Sequence, residues 1–188
     1  MSIFYIDAPC SIKPFKKHDL LKEDTLDYID HDMRKSNLKS DTMNILSDWG
    51  STYKNKGDKK YWEVIRESIH EHMHDVLIND FGYVWFEVGN YWYQQYIEGG
   101  KHGWHVHMRT MFTSVYYLEY PEGSPPTEFM NSITKQVFTL DEIKEGDILT
   151  FPSYVVHRAT ENKTKNRKTI LSWHSETECG NSYATSQT

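Results

Sequence analysis

Three histidines stand at spacings that suit one metal ion. His105 and His107 are separated by a single residue in Gly99-Gly100-Lys101-His102-Gly103-Trp104-His105-Val106-His107, and His157 follows fifty residues later. On a β-strand, residues i and i+2 point to the same face. Two imidazoles on one face grip one side of an ion, and a third from a distant strand completes a three-ligand cap. Such a cap leaves positions open for a substrate and for oxygen, as non-haem iron chemistry requires. Ten residues beyond His157 comes Arg167, followed at once by Lys168. A guanidinium holds a carboxylate through two charge-assisted hydrogen bonds. Neighbouring strand residues point to opposite faces, so only one of this pair can enter a site, and the guanidinium favours Arg167.

A second histidine cluster competes with the first. His70-Glu71-His72-Met73-His74 matches the H-E-x-x-H pattern of zinc proteases, in which two histidines share a helical face beside a carboxylate base. No further motif follows at the spacing a third ligand would need. Ile69 and Met73 belong to the apolar stripe of the same helix, which leaves His70 and His74 flanking the core as surface or boundary residues.

The whole chain narrows the classes. Its 188 residues suit one domain of 1–188: mostly helical support over 1–80, a strand-rich core over 81–175 and a polar tail over 176–188. The net charge of −6 gives no strong nucleic-acid signal, although Lys163, Lys165, Arg167 and Lys168 form a local basic patch. No apolar run is long enough for a bilayer, and the first residues lack the pattern of a signal peptide. Two cysteines, Cys10 and Cys179, make neither a disulfide framework nor a cysteine-rich zinc site, and a reducing cytoplasm is the expected setting.

The positioning elements follow from periodicity. A short strand is predicted over 3–6. A helix is predicted over 24–34, with Leu26, Ile29 and Met33 at helical spacing, and a stronger one over 61–79, striped by Trp62, Ile65, Ile69, Met73 and Val76 and stopped by Gly82. Residues 47–58 read as a loop. Strands then follow at 83–88, 91–97, around 105–107, 113–119, 136–140, 147–151, 155–158 and 168–173. Turn signals such as Gly89-Asn90, Gly99-Gly100 and Pro121-Glu122-Gly123 separate them. Many short strands with this punctuation predict a sandwich, barrel or jelly roll. Residues 175–188 carry no periodicity and read as a loose tail.

From Tyr91 to His174 the sequence resembles the Fe(II)/2-oxoglutarate-dependent oxygenases. The resemblance rests on Gln95-Tyr96-Ile97-Glu98-Gly99-Gly100 leading into the histidine pair and on Thr113-Ser114-Val115-Tyr116-Tyr117-Leu118 after it. It also rests on Gly146-Asp147-Ile148-Leu149-Thr150-Phe151-Pro152-Ser153 with His157, and on the closing Arg167-Lys168-Thr169-Ile170-Leu171-Ser172-Trp173. The run from His105 through Leu118, with Pro121 beyond, is most similar to a little-characterised branch of that family. The resemblance implies a mainly β fold with flanking helices, the double-stranded β-helix, a cupin-like jelly roll. It implies His105, His107 and His157 as Fe(II) ligands and Arg167 as the anchor of 2-oxoglutarate, with Lys168, Thr169, Tyr96 and Tyr116 around the cosubstrate. The implied reaction hydroxylates a C–H bond with molecular oxygen while 2-oxoglutarate becomes succinate and CO2.

The sequence departs from that family at one ligand. The family places a carboxylate two residues after its first histidine, and this chain has His107. An imidazole brings no charge, so the site stays more positive. A cupin-like three-histidine dioxygenase that uses no keto acid therefore stands as an alternative, and a non-catalytic jelly-roll binding module as another. His102 is a spare histidine, but i and i+3 do not share a strand face, so it is expected behind the ligands or at the surface. The substrate, a small molecule or a peptide, would be selected by the N-terminal helices and a loop over 121–130.

Overall fold

The computed structural model describes residues 9–32, 44–52 and 59–180. Its described strands form two antiparallel sheets. The larger has six strands, in the spatial order β1 (Ser11–Pro14), β8 (Asp147–Pro152), β5 (Phe112–Glu119), β10 (Lys168–Glu178), β3 (Trp85–Tyr96) and β2 (Ile45–Ser47). The smaller has four: β4 (His102–His105), β9 (Val156–Ala159), β6 (Thr127–Met130) and β7 (Val137–Thr139). Two helices, α1 (His18–Asp30) and α3 (Lys60–His74), pack on the outside of the larger sheet, and α2 (Trp49–Thr52) is a single short turn. α3 runs on as a π-helical turn, Asp75–Asp80, and the chain leaves it through Gly82 at φ +80°. This is the predicted jelly roll with helices on its outside.

Alternation along the central strands sorts the core into two layers. Tyr116 and Leu118 of β5, Ile148 of β8 and Leu171 and Trp173 of β10 face the helices, where they meet Ile29, Ile65, Ile69 and Met73. Val115 and Tyr117 of β5, Leu149 and Phe151 of β8 and Ile170 of β10 face the other way, toward Phe129 and Ala159 of the smaller sheet. With both faces covered, β5 and β8 bury every residue except Glu119, which is why they read as nearly unbroken apolar runs. Burying a side chain such as Ile65 or Ile69, which keep no exposed surface, is worth about 1.5–3 kcal/mol each.

Several sequence expectations are corrected here. Gly89-Asn90 is not a turn between two strands. It lies inside β3, where the step from Ser172 to His174 on β10 matches the longer step from Trp92 to Gly89. The extra residue makes a bulge, with Asn90 at φ +47°. Residues 47–52 are ordered as the end of β2 and as α2. Residues 127–130, expected within a loop, form β6, and 175–178, expected in the tail, complete β10. β1 adds a strand to a region expected to be helical, and the first helix begins earlier than predicted, at His18. The predicted strand over 3–6, Met33 and the tail from 181 on lie outside the described residues. No helix among the described residues is long and apolar enough to cross a membrane.

Candidate active site

The two sheets enclose a cavity of about 350 Å³. Its walls come from β3 (Trp92, Gln94, Tyr96), β4 and the residues after it, β9, and the inward face of β10 (Lys168, Ile170, Ser172), with Trp49 of α2 beside Trp92. Among the described residues, none of those lining it carries a carboxylate.

His105, His107 and His157 meet in this cavity. One nitrogen from each lies within 4.8 Å of the others, and this is the only such group of metal-ligating side chains among the described residues. Pairing of β4 with β9 sets His105 directly opposite His157. His107 lies just past the end of β4, held by its backbone N–H donating to the Ser153 carbonyl at 2.9 Å. His105 donates Nδ1–H to the Gly103 carbonyl at 2.8 Å, and His157 donates Nδ1–H to the Val155 carbonyl at 2.9 Å. A carbonyl can only accept, so both rings carry their proton on Nδ1 and keep the Nε2 lone pair. Burial and the neighbouring imidazoles push His107 down to about 2 and His157 to about 3, and His105 is lowered as well. All three are neutral at physiological pH, the state a metal needs. The donor set, three neutral imidazoles on one cavity wall, fits a divalent transition metal.

His102 corrects an expectation. It lines the same cavity as His105, with ring centroids 4.0 Å apart. The step from His102 to His105 on β4 spans one residue more than the step from Ala159 to His157 on β9. That irregularity breaks strict alternation, so i and i+3 share a face here. His174, named only as the end of the resemblance, is a fifth histidine at this cluster. Its Nε2 lies 3.1 Å from Nδ1 of His107.

At the start of β10 the structure separates Arg167 from Lys168. Arg167 points away from the cavity, its Nε and Nη2 donating to the two carboxylate oxygens of Glu119 at 2.8 and 2.9 Å and its Nη1 to Asp30 at 2.8 Å. The expected carboxylate anchor is thus committed to tying α1 and β5 to β10. Thr169, expected in the cosubstrate pocket, is also outside it, its hydroxyl donating to Glu119. Lys168 enters the cavity and is 1% exposed. Its ammonium donates to the Pro125 carbonyl at 2.8 Å and lies 5.2–5.5 Å from the ring centres of Tyr96, Tyr117 and Tyr120. Burial lowers it to about 7. Tyr96 lines the cavity as expected. Tyr116 does not: its hydroxyl is hydrogen-bonded to His18 Nδ1 at 2.7 Å on the helical side. The inward tyrosine of that strand is Tyr117, bonded to Thr127 at 2.7 Å. Sequence reasoning missed Gln94, Thr127, Tyr117 and Ser172. Once Lys168 is known to face inward, period 2 along β10 carries Ile170, Ser172 and His174 to the same side.

The helical histidines form no site. His70 and His74 are exposed and lie against Phe86, with ring centroids 4.7 and 6.3 Å away, whereas His72 is buried beside Phe15.

Comparison with known proteins agrees with this geometry. A family model described as "Putative 2OG-Fe(II) oxygenase" matches residues 90–173, a span that includes the histidine triad and Lys168. No curated protein matches the sequence. Among solved structures, the fold is similar to the viral collagen prolyl hydroxylase of Paramecium bursaria Chlorella virus-1 in its 2OG complex (TM-score 0.61, 12% identity, covering 91% of this chain and 96% of that one). It is also similar to a Pseudomonas putida prolyl-4-hydroxylase (TM-score 0.57, 13% identity, 89% of this chain and 92% of that one). A third likeness is to SnoN, a non-heme alpha ketoglutarate-dependent epimerase of nogalamycin biosynthesis (TM-score 0.63, 12% identity, 89% and 77%). Identities this low establish the double-stranded β-helix fold alone. Over residues 90–173 the chain is similar to the Fe(II)/2-oxoglutarate-dependent oxygenases, and its fold is the one the listed oxygenase structures share.

Proposed function

We propose that His105, His107 and His157 hold Fe(II) and that Lys168, not Arg167, receives the distal carboxylate of 2-oxoglutarate. The observation that carries this reading is one cavity with two complementary ends. One end presents three neutral imidazoles, and the other a buried lysine whose hydrogen bond goes to a carbonyl rather than a carboxylate. Iron with 2-oxoglutarate would supply the oxygen chemistry, in which the keto acid becomes succinate and CO2 while a substrate C–H bond is hydroxylated.

The chain's own residues bind, orient and shield. Lys168 offers an ammonium in a buried, aromatic-walled end, where a charge-assisted bond to a carboxylate is stronger than in water. Thr127 and Gln94 line the same cavity and add polar groups for carboxylate oxygens. Trp49 and Trp92 close the side nearest His107 and His174 and limit water there. The substrate is a small molecule or a peptide residue entering past Val106 and Arg158. Low cysteine usage supports a reducing, cytoplasmic setting.

His107 favours a second reading. Without a ligand carboxylate the centre resembles a three-histidine dioxygenase that needs no keto acid. Anaerobic titration with Fe(II) and then 2-oxoglutarate separates the two. The proposal expects a saturable visible charge-transfer band that is lost in His157→Ala. Iron binding without the band, together with oxygen consumption in the absence of keto acid, would establish the second reading. Failure to bind iron would leave a non-catalytic jelly-roll module.

A further inference from the structure

Each ligand histidine must keep one nitrogen for the metal, and what its other nitrogen meets decides whether it can. For His105 and His157 the partner is a backbone carbonyl, which fixes the proton on Nδ1. For His107 the partner is a second imidazole, His174, at 3.1 Å. Two arrangements satisfy that contact. His107 donates Nδ1–H to His174 Nε2, and its own Nε2 keeps a lone pair. Alternatively His174 donates Nε2–H to His107 Nδ1, the His107 proton sits on Nε2, and neither nitrogen of His107 is left to bind an ion. Only the first arrangement is compatible with a three-histidine centre.

The surroundings of His174 suit it to hold one position. It is 6% exposed, lies on β10 opposite Thr113 of β5 and Gly89 of β3, and its ring packs edge-on against Trp92 at 5.0 Å and Trp49 at 6.5 Å. The His107 ring lies 4.9 Å from that of His174 and 5.7 Å from that of Trp92. His107 has no regular strand to orient it, because β4 ends at His105. Its side chain therefore takes its direction from β10.

We propose that His174 is the positioning residue of the metal centre: it accepts Nδ1–H from His107 and so holds His107 in the tautomer and direction that leave Nε2 for the ion. The inference rests on the metal-site reading above and adds a member to it. Partners behind ligand histidines typically change metal affinity by roughly 10–100-fold when removed.

The test uses anaerobic Co(II) titrations of the full chain, followed by the visible d–d bands, on wild type, His174→Phe and His174→Gln. Phenylalanine fills the space and accepts nothing, whereas glutamine can offer a carbonyl oxygen near the position of the imidazole Nε2. The expected result is a roughly 10–100-fold weaker Co(II) affinity and altered d–d bands in His174→Phe, with most of the loss restored in His174→Gln. Wild-type affinity and bands in a folded His174→Phe would overturn the inference while leaving the metal site standing. So would a His174→Gln variant as weak as His174→Phe. Absence of Co(II) binding in wild type would overturn the metal-site reading itself. Should His174→Phe not fold, long-range 15N–1H NMR of zinc-loaded wild type decides. Protons on Nδ1 of both His107 and His174 support the inference, and a proton on Nε2 of His174 overturns it.

Discussion

The chain carries two histidine clusters of similar density, and only one of them converges. On α3, successive residues turn by about 100°, so His70 and His74 go to the exposed side around Phe86 while His72 turns inward to Phe15. Around β4, a partner strand brings His157 against His105, and β10 brings His174 against His107. The helix supplies spacing without a second wall. The jelly roll supplies two sheets and a cavity between them. A metal centre needs that second element more than it needs the local pattern, because the third ligand and the loss of water both come from across the cavity.

The largest effect that tests this contrast is on metal affinity. His157→Ala is expected to weaken Fe(II) or Co(II) binding by more than about 100-fold, and His70→Ala and His74→Ala by less than about twofold. Isothermal titration checks all three, and a metal defect in either α3 variant would break the comparison. Next comes the other end of the cavity. Lys168→Met is expected to raise the Kd for 2-oxoglutarate by about 10–100-fold, the worth of a hydrogen bond to a charged group. Wild-type 2-oxoglutarate affinity in that variant would remove Lys168 from the anchor role. The same lysine gives a pH signature. Its free amine titrates near 7, so the ammonium that attracts the carboxylate is lost as pH rises through that value. Keto-acid Kd is expected to rise by up to about tenfold per pH unit above 7 in wild type and to stay flat in Lys168→Arg.

Smaller effects fall on stability. His102, His107, His157 and His174 have folded-state values of about 4, 2, 3 and 4 against an unfolded value near 6.5. Their folded values are depressed, so the unfolded chain binds more protons as pH falls below about 6.5, and stability is lost in that direction. The metal-free protein is expected to melt at a progressively lower temperature from pH 7 to pH 5, and a flat Tm over that window would contradict the burial of these rings. Arg167→Gln should do least: a loss of about 1 kcal/mol from a partly exposed ion pair, measured by urea unfolding, with 2-oxoglutarate affinity unchanged. A large change in keto-acid affinity would return the anchor to Arg167.

The fold class, the long α3 stripe and the convergence of His105, His107 and His157 are legible because each rests on a period that packing preserves. The errors have local causes. Arg167 and Lys168 differ by one strand position, and nothing in their types says which face is inward; Glu119 and Asp30, distant in sequence, decide it. Tyr116 and Tyr117 pose the same problem on β5, where His18 on the helical side and Thr127 on the cavity side decide it. Strict alternation excludes His102 from the cavity, and the β4–β9 irregularity breaks that alternation. His174 gave no signal of its own, since its role depends on a ring 67 residues away in the chain.

The bulge in β3 has a consequence for how this chain tolerates change in length. Beyond it, Trp92, Gln94 and Tyr96 face the cavity, whereas before it Phe86 and Val88, also even-numbered, pack with the helical layer. The one extra residue at Asn90 reverses the parity of the strand. Removing it would act on the protein as a frameshift acts on a reading frame: every upstream side chain would exchange inside for outside, although only one residue had been lost. A dipeptide that reads as the most dispensable of turns is therefore among the positions where a deletion would be least forgiven.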